Sequence, residues 1–155
     1  RPRTKKIFES KEKILIQRIT GGKKPLKATY DNKQFYNKES INNIILKETA
    51  QISIKYILAL INSSLINWYY RNQFTNESNL TVNLSKSYLS QIPVKYPLKK
   101  DEVKIVNIVN RILDMKNKTP DEHINKLEDK INKIIYAIYG LNPDEIDIVE
   151  SSILS

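Results

Sequence analysis

Four basic side chains flank a two-glycine turn near the start of the chain. A turn at Gly21-Gly22 brings their charges towards one loop. The four residues are Arg18, Lys23, Lys24 and Lys27. Lysine and arginine bind phosphates and also reach the edges of guanine. The cluster therefore indicates nucleic-acid binding, although the end of an ordinary solvated hairpin has the same residue types.

The turn that follows carries polar and aromatic side chains suited to contacts with bases. Asparagine and glutamine pair with the edge of adenine, and a tyrosine ring offers a flat face to a base. The candidates in this turn are Tyr30, Asn32, Lys33, Gln34 and Tyr36. A second polar set comes after the aromatic run Trp68-Tyr69-Tyr70 and consists of Arg71, Asn72 and Asn76. We predict that both sets contribute to a DNA-binding surface.

Residue types that catalysis or metal binding needs are scarce in this sequence. The chain has no Cys, and its one His, His123, stands among acids in the first turn of a predicted helix. Three glycines in all leave no room for a glycine-rich phosphate loop. We therefore expect no catalytic residue and no metal ligand in this chain.

Two short motifs match catalytic signatures by letter but stand in the wrong context. Pro120-Asp121 and Glu128-Asp129-Lys130 resemble a metal-dependent nuclease motif. Both fall on one predicted amphipathic helix, whereas that chemistry usually sits on adjacent strands. Asn142-Pro143-Asp144 begins a helix and lacks the Pro-Pro-aromatic sequence of amino-group methyltransferases. A metal-dependent nuclease fragment stays open as an alternative function.

Charge is divided unevenly along the chain. In total 26 Lys and Arg oppose 17 Asp and Glu, which gives a net charge of +9. Residues 1–100 hold 19 basic and 6 acidic residues, a balance of +13, whereas residues 101–155 hold 7 and 11, a balance of −4. The sign changes beside Pro97, so we predict two parts, residues 1–97 and residues 98–155. Asn, Ile and Lys are all abundant, as an AT-rich genome would produce, so codon bias is an alternative explanation for part of the charge.

Apolar spacing predicts a small sheet followed by helices. An antiparallel meander is predicted, with strands at 13–19 and 26–30 and one or two more at 35–36 and 41–46. From Ile54 onwards the apolar spacing becomes helical, and Ser63 or Ser64 is expected to cap a second helix. Segment 92–97 contains two prolines and is expected to be extended.

The last third of the chain predicts three helices. An amphipathic helix covers 103–113, and a capping box at 119–122 begins a second helix with an apolar stripe. Gly140 ends this helix as a left-handed cap, and Asn142 starts a short final helix. The predicted fold class is therefore α/β of the α+β type, with a small, largely antiparallel sheet, packed helices and an antiparallel helical hairpin as the tail.

Four segments carry a resemblance to a known family. They are Lys13–Arg18, Tyr56–Tyr70, Leu84–Val94 and Ile135–Ile146. The chain resembles the C-terminal target-recognition domain of adenine-specific DNA methyltransferases in type II restriction–modification enzymes, especially single-chain type IIG. The ending Tyr139-Gly140-Leu141-x-x-x-Glu145-Ile146 favours this branch over half of a type I specificity subunit, which is the nearest alternative.

The resemblance implies a sequence-specific DNA-binding module without a catalytic site of its own. Residues 1–97 would be the target-recognition domain, and residues 98–155 a helical spacer or docking element. The methyl donor S-adenosylmethionine would belong to a methyltransferase domain outside this chain, so no cofactor is expected here. The expected partners are double-stranded DNA and the methyltransferase or endonuclease part of the parent protein, in the cytoplasm of a bacterium, with no membrane and no small-molecule substrate. An RNA-binding module is a further alternative.

Overall fold

The computed structural model describes residues 5–74, 82–116, 118 and 121–154. The strands in these residues are β1 (Lys13–Gln17), β2 (Ile19–Thr20), β3 (Ala28–Asp31), β4 (Ile41–Ile44) and β5 (Val82–Asn83). The helices are α1 (Lys5–Phe8), α2 (Ile54–Asn62), α3 (Ser64–Phe74), α4 (Lys86–Leu89), α5 (Lys99–Met115), α6 (Asp121–Tyr139) and α7 (Pro143–Leu154). The predicted α+β class, with a small antiparallel sheet and packed helices, is confirmed.

β1 is the central strand of a three-stranded antiparallel sheet with the order β3-β1-β4. Its side chains Ile14 and Ile16 are completely buried, because alternate residues of a strand face the same side of the sheet. Leu15 lies opposite Thr29 of β3 and Asn43 of β4. A separate pair of short strands, β2 and β5, brings the chain after β1 next to the chain after α3.

The predicted meander is wrong, because β4 pairs with β1 and not with β3. The outer edge of β3 is already occupied by the Asn62 side chain, which accepts from the Ala28 N–H and donates to the Ala28 carbonyl, both at 3.0 Å. This amide satisfies the outward-facing backbone groups of Ala28, and β4 pairs with the other edge of β1. The predicted strand at 35–36 is also wrong. There the Asp31 carboxylate accepts the Phe35 N–H at 2.9 Å and turns the chain.

A buried ion pair closes one end of the sheet. Lys13 Nζ and Asp31 Oδ2 lie 2.7 Å apart across β1 and β3, and at most 1% of either side chain is exposed. Lys13 Nζ also donates to the Phe8 carbonyl at 2.8 Å, which ties α1 to the sheet. Burial alone would raise the pKa of Asp31. The hydrogen bonds from Lys13 and from the backbone of Lys33 and Phe35 outweigh burial and hold this pKa below its ordinary value.

The helices α2 and α3 supply much of the core. Every residue of α2 from Ile54 to Ile61 is buried except Lys55, as expected for a helix packed on most of its circumference. The predicted cap between the two helices is confirmed at Ser63. Its hydroxyl accepts the Ile66 N–H at 3.2 Å, which satisfies an orphan donor in the first turn of α3.

The three predicted C-terminal helices are confirmed as α5, α6 and α7. Gly140 ends α6 with a φ of +73°, the left-handed cap that the sequence predicts. Asn142 Oδ1 accepts the Glu145 N–H at 3.0 Å, and Glu145 Oε2 accepts the Asn142 N–H at 2.8 Å, so this end is a capping box. Thr119 and Pro120 of the other predicted capping box lie outside the described residues.

The two predicted parts of the chain share one hydrophobic core. Buried side chains of the first part, such as Ile14 and Leu60, belong to the same cluster as Ile105, Ile131 and Val149 of the last three helices. Removing those helices would therefore expose part of the core that the first part uses. Within the part of the chain that the structure describes, no helix combines the length and apolar character needed to cross a membrane.

Polar contacts also cross the predicted boundary at residue 97. Glu102 Oε1 on α5 accepts the Ser53 N–H at 2.6 Å, just before α2. Asn132 Oδ1 on α6 accepts the Ser64 N–H at 3.0 Å, at the first turn of α3. Both contacts satisfy backbone donors at helix starts, which have no partner inside their own helix. The division into residues 1–97 and 98–155 stays a prediction about the organisation of the chain.

Candidate nucleic-acid interface

Two asparagines fix the backbone that carries the basic cluster. Asn67 is completely buried, and its Oδ1 accepts the Leu26 N–H at 2.8 Å while its Nδ2 donates to two carbonyls at the α2–α3 junction. Asn62 holds Ala28 by the two hydrogen bonds described above. Lys27 lies between these two anchored residues, so its exposed side chain leaves a rigid backbone.

The turn before this anchored segment places the remaining cations on the surface. Gly22 has a φ of +82°, a left-handed conformation that L side chains rarely adopt. Lys23 and Lys24 follow it and are half-buried. Arg18 is exposed before the turn, and its carbonyl accepts the Leu84 N–H at 2.7 Å. The turn therefore lies beside β5.

The basic cluster has no internal counter-charge among the described residues. No carboxylate oxygen of those residues lies within 4.0 Å of a charged nitrogen of Arg18, Lys23, Lys24 or Lys27. The same holds for Lys33 on the following loop. Cations without a nearby carboxylate keep their full attraction for a phosphate.

Tyr30 is less available for base contacts than the sequence suggests. Its hydroxyl donates to the Glu12 carboxylate, and Lys55 Nζ lies 5.0 Å from the centre of its ring. Burial, followed by the hydrogen bond to Glu12, raises the pKa of Tyr30 to about 12. The hydroxyl is therefore neutral at physiological pH and is already engaged within the protein.

Gln34 and Tyr36 are held against the segment that contains α1. Gln34 has a φ of +57°, and its Nε2 donates to the Glu9 carbonyl at 2.8 Å. The Tyr36 ring stacks on Phe8 with 4.9 Å between the ring centres, and its hydroxyl donates to Glu9 Oε1 at 3.3 Å. These contacts give the loop a defined shape.

Asn32 and Lys33 are the candidates of this loop whose side chains stay free. Both are exposed, and within the described part of the chain neither side chain has a hydrogen-bond partner. The backbone beneath them is fixed, because Asp31 Oδ1 accepts the Lys33 N–H at 2.8 Å. The loop therefore presents an amide and an ammonium group from a defined position.

The two described members of the second predicted set, Arg71 and Asn72, have hydrogen-bond partners within the protein. Arg71 is half-buried, and its Nη1 donates to the Ser152 carbonyl of α7 at 3.3 Å. Asn72 is exposed and donates to the Trp68 carbonyl on its own helix at 2.8 Å. Asn76 lies outside the described residues. A role of Arg71 in packing α7 is the simpler account of its position.

Two lysines outside the predicted set lie next to the loop. Lys55 is half-buried on α2, and its Nζ donates to Asn110 Oδ1 of α5 at 2.6 Å. Lys116 follows α5 and lines the same cavity as Asn32 and Lys33. A signal for Lys55 exists in the sequence, since it is the one charged residue in an apolar helix. The position of Lys116 depends on how α5 packs, which no local pattern reveals.

The described residues of the nuclease alternative form no metal site. Glu128, Asp129 and Lys130 are exposed on α6, Pro120 lies outside the described residues, and the Asp121 side chain is likewise not described. His123 is exposed on the same helix. Among the residues that the structure describes, no group of three His, Cys, Asp or Glu side chains could hold a metal ion.

Comparison with known proteins identifies a family. The family model of the TaqI-like C-terminal specificity domain matches residues 1–94 of this chain. The chain is also 24% identical over 136 residues to RM.MjaORFECS2P of Methanocaldococcus jannaschii, by name a type II restriction enzyme and methyltransferase. That match covers 86% of this chain and 11% of the relative.

A solved structure has the same fold. The chain matches the type IIL restriction-modification enzyme MmeI, determined in complex with DNA, with a TM-score of 0.71 and 16% identity. This match covers 94% of the chain and 21% of MmeI, so the chain spans only a small part of either relative. Since the family model matches residues 1–94, more than half of the sequence, this chain belongs to the family of TaqI-like C-terminal specificity domains.

Proposed function

We propose that this chain is the sequence-specific DNA-recognition module of a type II restriction–modification DNA methyltransferase. The observation that carries the proposal is the set of cations between Arg18 and Lys33 that have no carboxylate partner among the described residues. DNA phosphates would supply the missing counter-charges, and Asn32 is free to contact the edge of a base. Family membership and the DNA complex of MmeI support the same role.

Salt dependence of binding tests the electrostatic part of this proposal. We expect the chain to bind random duplex DNA with a Kd of about 10⁻⁴ to 10⁻⁶ M at physiological salt, and more weakly as salt rises. Replacing both Lys23 and Lys24 by alanine should reduce the slope of log K against log salt by about 2 units. The matched control is Lys130→Ala with Lys133→Ala, which removes the same charge from exposed positions on α6.

Two outcomes would contradict the proposal. An unchanged slope in the Lys23/Lys24 variant would remove the basic turn from the interface. Tighter binding to structured RNA than to duplex DNA at the same salt would favour an RNA-binding module instead.

We further propose that catalysis and the binding of the methyl donor belong to a part of the parent protein outside this chain. That part would be the second partner of the chain, beside double-stranded DNA. The small share of the type II relative that the chain covers, 11%, supports this division. The lysines of the two cavities beside β3 do not suit S-adenosylmethionine, whose sulfonium and ammonium groups are cationic. The two cavities beside β3 are lined by five lysines, which would repel those groups.

A further inference from the structure

Two adjoining cavities form a groove between β3 and the C-terminal half of α5. Their volumes are about 450 and 410 Å³, and Thr29, Leu113 and Lys116 line both of them. We infer that this lysine groove, defined by Lys24, Lys27, Lys33, Lys55 and Lys116, binds the phosphate backbone of duplex DNA. The inference rests on the proposed function and extends it, because it makes α5 part of the DNA-binding surface.

The charge of the groove is strongly positive. Its acidic residues are Asp31, Asp114 and Glu128. Asp31 already forms the buried ion pair with Lys13 at 2.7 Å, so five lysines face two uncompensated carboxylates, a balance of +3. None of the five lysines has a carboxylate within 4.0 Å among the residues that the structure describes.

The floor of the groove strengthens this attraction. Side chains such as Leu58, Val109 and Ile131 line the larger cavity beneath the lysines. A cleft with apolar, low-dielectric walls and a net charge of one sign focuses the electric field. A phosphate in this groove would therefore feel a stronger attraction than one beside isolated surface lysines.

Lys55 has an ammonium group that is held in place by neutral neighbours and can bind an anion. It is half-buried, and its neighbours Asn110 Oδ1, at 2.6 Å, and the Tyr30 ring, at 5.0 Å, are both neutral. These contacts orient the ammonium group without cancelling its charge. A partly buried charge is unfavourable until an opposite charge compensates it, and a phosphate oxygen would do so.

Lys116 connects the groove to the last three helices. Residues 101–155 have a balance of −4, yet Lys116 is exposed at the point where α5 reaches the loop after β3 that carries Asn32 and Lys33. The contact between Lys55 on α2 and Asn110 on α5 fixes the two walls relative to each other. DNA that meets the cations before β3 would therefore also meet α5.

Salt-dependent binding of single-lysine variants tests the groove. The 155-residue chain is titrated with duplex DNA of random sequence over a range of salt concentrations, followed by fluorescence anisotropy. We expect Lys55→Gln and Lys116→Gln each to reduce the slope of log K against log salt by about 0.9. The matched control, Lys104→Gln, removes one exposed charge from α5 outside the groove and should leave the slope unchanged.

The outcomes separate this inference from the proposed function. If the wild-type chain shows no salt-dependent binding to duplex DNA, both fail. If it binds and Lys23→Ala, which removes a cation outside the groove, lowers the slope, but Lys55→Gln and Lys116→Gln do not, only the groove is wrong. Lys116 is exposed, so this variant stays informative even if Lys55→Gln lowers the melting temperature.

Competition with inorganic phosphate distinguishes a groove that binds the DNA backbone from a site for a free anion. At equal ionic strength we expect phosphate to compete with the duplex no better than chloride does. If phosphate displaces the duplex and Lys55→Gln removes this effect, the groove is a site for the free anion, which would overturn its assignment to DNA.

Discussion

At the scale of single residues, two side-chain amides give the segment Tyr56–Tyr70 a structural role. Asn62 and Asn67 act on the backbone, since one completes the edge of β3 and the other holds Leu26 in place. The sequence marks these asparagines as unusual within an apolar stretch. It cannot reveal their partners, because Leu26 lies 41 positions before Asn67 and Ala28 lies 34 before Asn62.

The role of Asn67 predicts a large effect on stability. Asn67→Ala should lower the free energy of unfolding by about 1–3 kcal/mol, because the buried Leu26 N–H loses its acceptor. Urea denaturation measures the change. The control is Asn72→Ala, whose exposed side chain bonds only within its own helix. Equal losses in the two variants would mean that the buried amide does not stabilise the segment before β3.

The ion pair between Lys13 and Asp31 predicts a dependence of stability on pH. The pKa of folded Asp31 lies below its ordinary value of 3.8, so the unfolded chain binds the proton more tightly. The stabilisation is therefore present at neutral pH and is lost as pH falls through the folded pKa. Asp31→Asn should lower the free energy of unfolding at neutral pH by about 3–5 kcal/mol, because it leaves Lys13 buried without a counter-charge.

Denaturation at a series of pH values tests this prediction. Between neutral pH and pH values below 3.8, the Asp31→Asn variant should lose less stability than the wild type. Asp147→Asn, at an exposed position of α7, should keep the wild-type profile. An unchanged acid profile in Asp31→Asn would contradict the assignment.

At the scale of elements, local sequence patterns predict which helices and strands form better than they predict how these elements pack together. Helical spacing and cap residues correctly predict α2, α3, α5, α6 and α7, since both signals lie within the elements themselves. The predicted strand order is wrong because strand pairing depends on contacts between residues far apart in the sequence, which local patterns do not show. For the same reason the sequence predicts which loops carry cations, but not that Glu9 and Glu12 engage Tyr36 and Tyr30.

The shared core predicts that α6 and the sheet unfold together. Ile131→Ala on α6 should lower stability by about 2–5 kcal/mol, because Ile131 is 5% exposed within the common core. Trp68 on α3 is the one tryptophan of the chain and reports on the first part. Its fluorescence and the far-ultraviolet circular dichroism should shift to the same lower midpoint. A fluorescence transition that stays at the wild-type midpoint would mean that the two parts unfold independently.

At the scale of the whole molecule, the chain has two parts of opposite charge but one hydrophobic core. The sequence separates a basic part with a balance of +13 from an acidic part with −4. The structure joins them in one core, and the lysine groove takes residues from both. The acidic residues of the last helices therefore do not exclude α5 from a DNA-binding surface, because the local charge around Lys116 decides the attraction.

Sequence preference tests the central claim most directly. The chain is used to select bound molecules from a pool of randomised duplexes, and the bound molecules are then sequenced. We predict enrichment of one short sequence, since each mismatched base pair in a recognition site costs about 1–3 kcal/mol. Asn32→Ala should relax the preference at one position, because Asn32 offers a free amide on the loop after β3. A bound pool with the composition of the input, despite salt-dependent binding, would show that the chain holds DNA without reading its sequence.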